Sequence, residues 1–508
     1  MINLYHYLFL VRRTFLIIVT YILVLSCQFE KESALTEGKL LAGKYCSSCH
    51  LFPEPALLDK KTWINGVLPA MAGQLGIEVL QGNVYLTDKK SVLTGKEWSR
   101  LVEYYKTLAP DTLQKATVPV VASDDWCNFT LKKPAENPDA VSSTTMVAID
   151  EKRHQIVTSS SERSAIYEYS SNLEIILSSD LPSAAIDISF AQQTSQEDII
   201  TCMGGMQAAD HTKGQILEYR QKDSKANLLS SDLIRPIQTR PLDYNKDGLQ
   251  DYVVCAFGHN RGGLYILKQD ADHTFEKVPV REVPGATQSV VQDFNHDGWP
   301  DIMTLFAHGD EGIWLFLNNQ HGGFTTKNIL RFPPSSGSSS FQLIDMDKDG
   351  KEDIVYTAGD NSDYSRILKP YHGIYIYKNT GNLHFEKSYF YPVNGCTKAI
   401  AADFDKDGDI DVAVIAFFAD FKSNPAQTFL YFEHVNEGIT FKPHNVPVAA
   451  SGRWICMDAS DYDNDGDIDI VLGNYSKGFL NQENVKPSWN IHTPFVVLEN
   501  NILNKKNK

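Results

Sequence analysis

Positive charge is scarce in this sequence. Lys and Arg together number 47 against 63 for Asp and Glu, which gives a formal net charge of −16 at pH 7. Because a nucleic-acid-binding protein needs a basic face to neutralise phosphates, this balance excludes that class and we expect no nucleic-acid partner. Much of the acid lies in five short Asp-rich segments, and such clustering indicates bound cations rather than solubility alone.

A long hydrophobic run is missing near the N-terminus. The apolar run Thr14–Ser26 is shorter than the roughly 20 residues that a membrane-spanning helix needs. Arg12 and Arg13 precede it, and a basic start followed by a short apolar run is typical of a signal peptide. We therefore predict that residues 1–26 form an export signal.

The end of the apolar run suggests an anchor. Val24-Leu25-Ser26-Cys27 resembles a bacterial lipobox, and the resemblance implies lipidation of Cys27 followed by a tether over 27–34. Two alternatives stay open, namely an ordinary signal peptide followed by an unrelated Cys, and an uncleaved anchor. The prediction is an exported protein, lipid-anchored to the membrane on the periplasmic side or at the outer cell surface.

Residues 35–112 show a helical pattern. Trp63, Val67 and Met71 follow the i, i+4, i+8 spacing of one helix face, and Pro69 is placed to end or kink that helix. A further helix is predicted from Thr94, a suitable N-cap, to Leu108.

A motif with its own chemistry lies in this helical unit. Cys46-Ser-Ser-Cys49-His50 is the CxxCH pattern of haem c attachment, in which two thiols hold the haem and the adjacent His binds its iron. A zinc or redox pair, or a chance match, is the alternative. We predict one covalent haem c on Cys46, Cys49 and the axial ligand His50.

A sixth iron ligand is also predicted. Between His50 and residue 140 there is no other His, and Met71 is the one Met. Ligation by Met and His raises the reduction potential and suits electron transfer, whereas a core Met71 would leave the iron five-coordinate. With a first helix ending at CxxCH, a later Met and a final helix that carries Tyr104-Tyr105, the unit resembles class I cytochromes c. The resemblance implies an all-α electron-transfer domain over 35–112, although 21 residues from His50 to Met71 is short for that family.

After a linker predicted over 113–140, the pattern changes to short alternating strands. The motif D-x-[DN]-x-D-G-x-x-D occurs five times, and two weaker copies without it, around Met146–Asp150 and Ala185–Ser189, come first. The five Asp loops are Asp243–Asp251, Asp293–Asp301, Asp345–Asp353, Asp403–Asp411 and Asp461–Asp469. Seven such units predict a seven-bladed, all-β propeller of four-stranded blades over 141–500, followed by a flexible tail over 501–508.

The seventh repeat stops without a final strand. We predict that a strand near Cys127–Lys132 completes that blade and closes the ring. The predicted fold is thus multidomain, with a small all-α cytochrome c domain followed by a seven-bladed propeller.

Each Asp loop can surround one hard cation. Side-chain oxygens at positions 1, 3, 5 and 9 and a carbonyl at 7 supply ligands, and Gly at 6 permits the turn. The loops resemble the calcium loops of FG-GAP or VCBS propeller repeats, as in integrin α-subunits, which implies about five structural Ca²⁺ ions. The predicted ligands are Asp243, Asn245, Asp247, Asp251, Asp293, Asn295, Asp297, Asp301, Asp345, Asp347, Asp349, Asp353, Asp403, Asp405, Asp407, Asp411, Asp461, Asp463, Asp465 and Asp469.

Cysteine is sparse, with 8 residues in the chain. Beyond those assigned to lipid and haem, five remain, namely Cys127, Cys202, Cys255, Cys396 and Cys456. An odd number means that they cannot all pair with one another, and the sequence does not determine which do.

The loops after the second strands are expected on the face opposite the Asp loops, near the axis. They carry His259, Arg261 and His308, and Arg453 at the start of an inner strand should join them. These four residues are candidates for a catalytic or partner site at the propeller mouth. The alternative is that they are solvated loop residues.

Together these patterns predict a cell-envelope electron-transfer protein whose propeller is a docking or ligand-binding platform. Its partner would be a redox protein or a small-molecule electron donor. One alternative is a dehydrogenase in the propeller that reduces its own haem, and another is an adhesion protein. No catalytic triad, nucleotide-binding loop or quinone-binding motif is evident, so enzymatic activity stays open.

Overall fold

The computed structural model contains two compact units, which divide between Gln114 and Lys115. The residues it describes are 32–503, except 192–196, 208, 363–366, 436–437 and 478–485, together with positions 12, 14 and 21. The predicted lipidation site Cys27 and nearly all of the predicted signal peptide lie outside these residues. Within the described part, no helix is both long and apolar enough to cross a bilayer.

Helices form most of the first unit. They cover 32–45, Lys60–Thr62, Leu68–Gln74 and Gly95–Leu108, with a π-helix at Trp63–Val67 and 3-10 turns at Cys46–Ser48 and Pro55–Leu57. The expectation of an all-α unit is wrong, because Glu78–Leu80 and Val84–Leu86 pair as an antiparallel hairpin. Gly82 and Asn83 form its turn with φ of 77° and 59°, in the left-handed region that Gly and Asn tolerate best.

Of two predicted features of these helices, the N-cap is confirmed and the end or kink at Pro69 takes another form. The chain stays helical through Pro69, and the irregularity is the π-helix Trp63–Val67 just before it, where the Ile64 carbonyl accepts a bond from Asn83 Nδ2 at 3.2 Å. The final helix is capped by Thr94, whose Oγ1 accepts the Glu97 N–H at 3.3 Å while the Glu97 carboxylate accepts the Thr94 N–H at 2.8 Å. This reciprocal capping box fixes where the helix begins.

The second unit is a seven-bladed β-propeller, as predicted, and each blade is an antiparallel sheet. The first strands of blades 1 to 7 are Thr144–Asp150, Ala185–Ser189, Pro236–Leu242, Ala286–Gln292, Ser338–Ile344, Cys396–Ala402 and Trp454–Ser460. The second strands are Gln155–Ser160, Asp198–Cys202, Asp251–Ala256, Asp301–Phe306, Asp353–Ala358, Asp411–Ala416 and Asp469–Asn474. Each first strand contacts the first strands of both neighbouring blades, so these strands surround the axis.

The outer half of each blade follows the same order. The third strands are Ala165–Ser170, Gly214–Arg220, Gly263–Gln269, Gly312–Asn318, Gly373–Asn379, Phe429–His434 and Phe495–Asn500. The outer strands are Ile175–Asp180, Lys225–Leu233, Phe275–Arg281, Phe324–Arg331, Phe385–Pro392, Phe441–Asn445 and, in blade 7, Phe129–Lys132. The second strands of blades 3 to 7 are buried along their whole length, because neighbouring blades cover both of their faces.

A strand from before blade 1 closes the ring, as the sequence predicts. Phe129–Lys132 pairs antiparallel with Phe495–Asn500, with Val497 opposite Lys132. The propeller continues past residue 500, because the Asn501 N–H donates to the Asn128 carbonyl at 2.9 Å. The prediction that a flexible tail begins at residue 501 is therefore wrong for that residue. None of the seven cysteines that the structure describes forms a disulfide.

Candidate functional site

The five Asp loops connect the first and second strands of blades 3 to 7 and share one backbone form. Position 4 has φ between 56° and 64° in every loop, and the Gly at position 6 has φ between 83° and 96°. At position 6 a residue with a side chain would be strained, because φ above 80° is outside the region that L-residues adopt readily. The conserved spacing of the motif is therefore dictated by the turn itself.

The first Asp of each loop organises the turn. In blade 5, Asp345 accepts the N–H of Asp349 at 3.0 Å through Oδ1 and the N–H of Gly350 at 2.8 Å through Oδ2. The fifth residue in turn accepts the N–H of position 7, as Asp349 does from Lys351 at 3.0 Å. These bonds fix the backbone of the loop around the carboxylates of positions 1 and 5.

The ninth Asp ties the loop to the rest of the blade. Asp353 accepts the Met346 N–H at 3.1 Å and, from the end of the third strand, the Asn379 N–H at 2.7 Å. The corresponding Asp of the other four loops makes the same two bonds, and all five are almost fully buried. A mutation at position 9 would therefore affect both cation binding and the sheet.

Carboxylate groups converge in blades 5, 6 and 7. In each loop, three of them offer oxygen atoms that lie within 4.8 Å of one another, namely Asp345, Asp347 and Asp353; Asp403, Asp405 and Asp411; and Asp461, Asp463 and Asp465. One oxygen each of Asp347, Asp403 and Asp463 is buried and accepts no hydrogen bond within the described part of the chain. Buried anionic oxygens without a donor fit a hard divalent cation such as Ca²⁺.

The electrostatics of these loops is unfavourable without a cation. Burial, and then neighbouring carboxylates, raise the pKa of Asp405 to about 6. Burial raises the pKa of Asp411 to about 7 and that of Asp469 to about 8, although backbone N–H groups oppose the shift. A bound divalent cation would favour the charged form of every one of these groups.

Blades 3 and 4 differ from the other three. Position 3 is Asn there, and Asn245 Nδ2 donates to Asp247 at 2.7 Å while Asn295 Nδ2 donates to Asp297 at 3.0 Å. An amide supplies a neutral oxygen, so these two loops carry one carboxylate fewer. In blade 5 the ammonium group of Lys378 contacts Asp347 and lies 3.5 Å from Asp349.

One residue of the Asp loops was not among the predicted ligands. Asp467, at position 7 of the blade 7 loop, is fully buried and neither of its carboxylate oxygens has a hydrogen-bond partner in the described structure. Burial raises its pKa to about 7, with Asp465 as the next cause. Position 7 was expected to supply only its backbone carbonyl. The sequence does offer a sign of a further ligand, because position 7 is Asp in blades 6 and 7.

The CxxCH motif lies where the helix 32–45 ends in the turn Cys46–Ser48. Cys49 is exposed, whereas burial raises the pKa of the Cys46 thiol to about 11. His50 Nδ1 lies 2.8 Å from the Leu51 carbonyl oxygen, which can only accept, so this nitrogen carries the proton. In the neutral imidazole, Nε2 is then the nitrogen with a free lone pair, as a metal ligand needs, and the motif fits haem attachment.

An aromatic core supports this motif. Tyr105 is fully buried and donates its hydroxyl to the Pro53 carbonyl at 2.9 Å. Its ring packs against Trp63 at a tilt of 36°, with ring centroids 4.3 Å apart. Gly38 lets the first helix approach the last, because a Cβ at Gly38 would lie 2.5 Å from the Arg100 carbonyl oxygen. Met71 is half-buried on the helix Leu68–Gln74, and its role as an iron ligand stays a prediction.

The mouth loops of blades 3 and 4 bring the two predicted His residues together. The rings of His259 and His308 stack with centroids 5.5 Å apart, and both residues are half-buried. Asp210 of blade 2 holds the first loop by accepting the N–H groups of His259 and Asn260 at 2.9 Å and of Arg261 at 3.1 Å. The Arg261 side chain is exposed and donates to the Asp210 carbonyl at 2.9 Å.

Arg453 contacts the loop that follows the second strand of blade 6, but its side chain is enclosed rather than exposed at the mouth. Its side chain is 1% exposed, its guanidinium lies 4.1 Å from the centre of the Phe417 ring, and its Nε donates to the Phe417 carbonyl at 3.1 Å. Further rings from Phe421 and Trp489 cover it. Cation–π packing therefore explains why an Arg at the start of an inner strand is enclosed rather than presented to the mouth.

Comparison with known families identifies the repeats. The family model of the FG-GAP-like repeat matches residues 243–304 and 293–356, a span that holds the first three Asp loops. The propeller therefore contains FG-GAP-like repeats.

Two curated proteins are similar over parts of the propeller region. A T-cell immunomodulatory protein homolog of Plasmodium falciparum (isolate 3D7) is 28% identical over 134 residues, which are 25% of this chain and 18% of that protein. Integrin alpha-6 of Homo sapiens is 26% identical over 196 residues, 34% of this chain and 17% of that protein. The chain thus spans less than a fifth of the length of the curated relatives it matches.

Solved structures align at low identity. The N-terminal domain of Nup159 aligns with a TM-score of 0.42 and 10% identity, covering 76% of this chain and 100% of that chain. Sqt1 of Saccharomyces cerevisiae aligns with a TM-score of 0.42 and 9% identity, covering 68% of this chain and 96% of that chain.

Proposed function

We propose that this protein transfers electrons in the cell envelope, with haem c on the first unit and a calcium-stabilised FG-GAP-like propeller as its interaction platform. The observation that carries the proposal is the CxxCH turn. Cys46, Cys49 and His50 follow one helix end, and the His50 tautomer leaves Nε2 available to iron. A bound haem c would supply one-electron redox chemistry, while the protein would set its potential through its axial ligands and surroundings.

Calcium binding is the second part of the proposal. It is supported by the converging carboxylates of blades 5 to 7 and by their buried oxygens that lack a donor. Ca²⁺ takes six to eight oxygen ligands at about 2.3–2.6 Å, and the loops supply carboxylate, amide and carbonyl oxygens. Because each loop joins two strands of one blade, a bound ion would hold the blade rather than take part in chemistry.

The platform role is supported by the similarity of the repeats to part of an integrin α-subunit and part of an immunomodulatory protein homolog. The exposed Arg261 on the mouth face provides a cation that a redox protein with an acidic patch could contact. A lipid anchor on Cys27 would keep both units at the envelope, and Cys27→Ser should then move the protein from the membrane fraction to the soluble fraction.

The haem proposal is tested on the exported, mature protein. Cys46→Ala and Cys49→Ala should each abolish doubly attached haem, and the wild-type protein should keep its haem in acid–acetone after denaturation. Cys456→Ala, a half-buried cysteine of blade 7, is the matched control and should keep normal haem content. Release of haem from the denatured wild-type protein would show that the attachment is not covalent.

The axial ligand is tested separately. If Met71 binds the iron, Met71→Ala should remove the thioether-to-iron absorption band of the oxidised protein and lower its reduction potential. An unchanged band and potential would exclude Met71 while leaving the covalent attachment intact.

A dehydrogenase in the propeller is the second candidate, and the stacked pair His259 and His308 favours it, since an oxidation needs a proton acceptor. Sugars and alcohols should then reduce the haem of the purified protein, and His259→Ala should slow that step. His273→Ala, on the opposite face of blade 3, serves as the control. If no small molecule reduces the haem, electrons must come from a docked partner.

A further inference from the structure

A cluster of mixed metal ligands lies beside blade 6, outside the sites described above. Asp125 and Cys127 belong to the segment between two short strands, Ser123–Asp124 and Phe129–Lys132. The first of these strands pairs in parallel with the outer strand of blade 6, which brings His444 next to the segment. Asp125 Oδ1 lies 2.9 Å from His444 Nδ1 and 2.9 Å from Cys127 Sγ.

The three side chains converge on one point. One ligand atom of each, a carboxylate oxygen, a thiol sulfur and an imidazole nitrogen, lies within 4.8 Å of the other two. The chain reverses at Cys127 with φ of 49°, an uncommon value for a residue with a side chain, and the Phe129 N–H donates to the Trp126 carbonyl at 2.9 Å. A cavity of about 360 Å³ adjoins the cluster and gives an ion a path to it.

His444 is already oriented by a second carboxylate. It is 3% exposed, and its Nε2 lies 3.0 Å from Glu433 Oε2 on the neighbouring third strand. A His that donates one ring N–H to a carboxylate presents its other nitrogen as a ligand, an arrangement that commonly surrounds bound metals. Here the nitrogen left to a metal is Nδ1, which is the one that faces Asp125 and Cys127.

We propose that Asp125, Cys127 and His444 bind a zinc ion, with Glu433 as the carboxylate that orients His444. Thiolate, imidazole and carboxylate together suit Zn²⁺, whereas Ca²⁺ takes oxygen ligands only. In a tetrahedral site with bonds of about 2.0–2.3 Å, ligand atoms lie about 3.3–3.5 Å apart. The two separations of 2.9 Å from Asp125 Oδ1 therefore need to widen only slightly. Three protein ligands leave the fourth position to water from the cavity.

The zinc would act as a clamp. It would join the segment that precedes the propeller to blade 6, across 319 residues of sequence between Asp125 and His444. The alternative is a metal-free cluster in which a charged His444 lies between the carboxylates of Asp125 and Glu433 and no ion is taken up.

The test uses the mature full-length protein, freed of zinc and then kept in excess calcium so that the Asp loops are filled first. Titration calorimetry with ZnCl₂ should show one further site per chain. Cys127→Ala and His444→Ala should each weaken zinc binding by more than about 100-fold, and Glu433→Gln by about 10–100-fold, as loss of a second partner of a ligand does. Cys456→Ala, a half-buried cysteine away from the cluster, should leave the affinity unchanged.

A second readout does not depend on variants. Zinc should slow alkylation of Cys127 in the wild-type protein, measured by peptide mass spectrometry, and leave Cys456 unaffected. No zinc uptake by the calcium-loaded protein, an affinity that is the same in Cys127→Ala and His444→Ala, or an unchanged alkylation rate of Cys127 would each overturn the proposal.

Discussion

The blades fall into two groups that differ in how positive charge is placed beside their buried carboxylates. Blades 1 and 2 form one group and blades 3 to 7 the other. Blade 2 places Asp198 where the later blades have the ninth Asp of the loop, and Asp198 likewise accepts a loop N–H, that of Ala191 at 2.9 Å. Its carboxylate, however, pairs with the Arg153 guanidinium of blade 1 through two bonds of 2.8 and 3.0 Å. Arg153 also lies 2.9 Å from Asp150, so a side-chain cation neutralises two buried carboxylates.

The same fold can therefore balance its buried carboxylates with two kinds of cation, an arginine side chain or a bound metal ion. The guanidinium of Arg153 is part of the chain and is present under all conditions, whereas the carboxylates of blades 5 to 7 face one another. If calcium fills that role, only blades 3 to 7 depend on the ion concentration of the surroundings. Removing either cation tests this difference between the two groups of blades.

Calcium removal should have the largest effect. A ligand present at a thousand times its Kd stabilises the folded state by about 4 kcal/mol per site, so loss of several sites should strongly lower the melting temperature of the propeller. Calorimetry with and without a calcium chelator measures this, and the absorbance of the haem proposed for the first unit is the internal control. Propeller melting that is the same in both conditions would contradict a structural role for calcium.

Removal of the arginine should come next in size and should not respond to calcium. Arg153→Gln leaves the buried Asp198 and Asp150 without a cation, and breaking such a pair costs about 3 kcal/mol. Urea unfolding should show this loss equally with and without added calcium. Arg163→Gln, an exposed residue of the same blade, is the control and should change little. Full rescue of Arg153→Gln by calcium would mean that blade 2 also binds the ion.

A single substitution tests whether the residue at position 3 sets the calcium affinity of an Asp loop. Asp463→Asn gives blade 7 the Asn that blades 3 and 4 carry at position 3, and removes a carboxylate whose Oδ1 has no hydrogen-bond donor in the described structure. Calcium should then bind that loop about tenfold more weakly, or about 1.4 kcal/mol. The reverse exchange, Asn295→Asp, should strengthen binding in blade 4. Equal affinity in all these proteins would show that the carboxylate at position 3 is not a ligand.

The smallest effect is expected where neighbouring loops are joined. Asn318 Nδ2 of blade 4 donates to the Tyr244 carbonyl in the blade 3 loop at 2.7 Å, and Asn500 makes the same bond to Phe404 at 2.7 Å. Asn318→Ala should therefore cost about 1–2 kcal/mol, the value for a buried carbonyl that loses its donor. Denaturant unfolding in calcium measures it, with Thr326→Ala, at an exposed position of the outer strand of blade 4, as the control. A cost below the control would mean that the loops are not coupled through this bond.

Features that are local in sequence could be predicted. The five Asp loops and the seven blades follow from a nine-residue motif and from alternating strands, both of which are complete within one repeat. The closing strand was predicted because the seventh repeat lacks its last strand. The hairpin Glu78–Leu80 with Val84–Leu86 was missed because three-residue strands with a Gly-Asn turn leave little pattern.

Contacts between individual side chains of distant segments could not be predicted. Arg153 meets Asp198 across a blade boundary, and Asp125 meets His444 across 319 residues, so no spacing in the sequence encodes either pair. The burial of Arg453 was missed for the same reason, because the three aromatic rings that enclose it belong to other loops. Residue type predicted which chemistry these side chains can do, but the tertiary structure decides which of them do it.

The closing strand also sets the order in which the propeller can be finished. Phe129–Lys132 leaves the ribosome before any blade exists, while its partner Phe495–Asn500 is made after every other strand that the structure describes. Until then the early strand has no neighbour, and blade 7 keeps one open edge that another chain could pair with. A chain interrupted during synthesis or export would therefore present an unclosed ring. The ring can close only after the strand Phe495–Asn500 has been made.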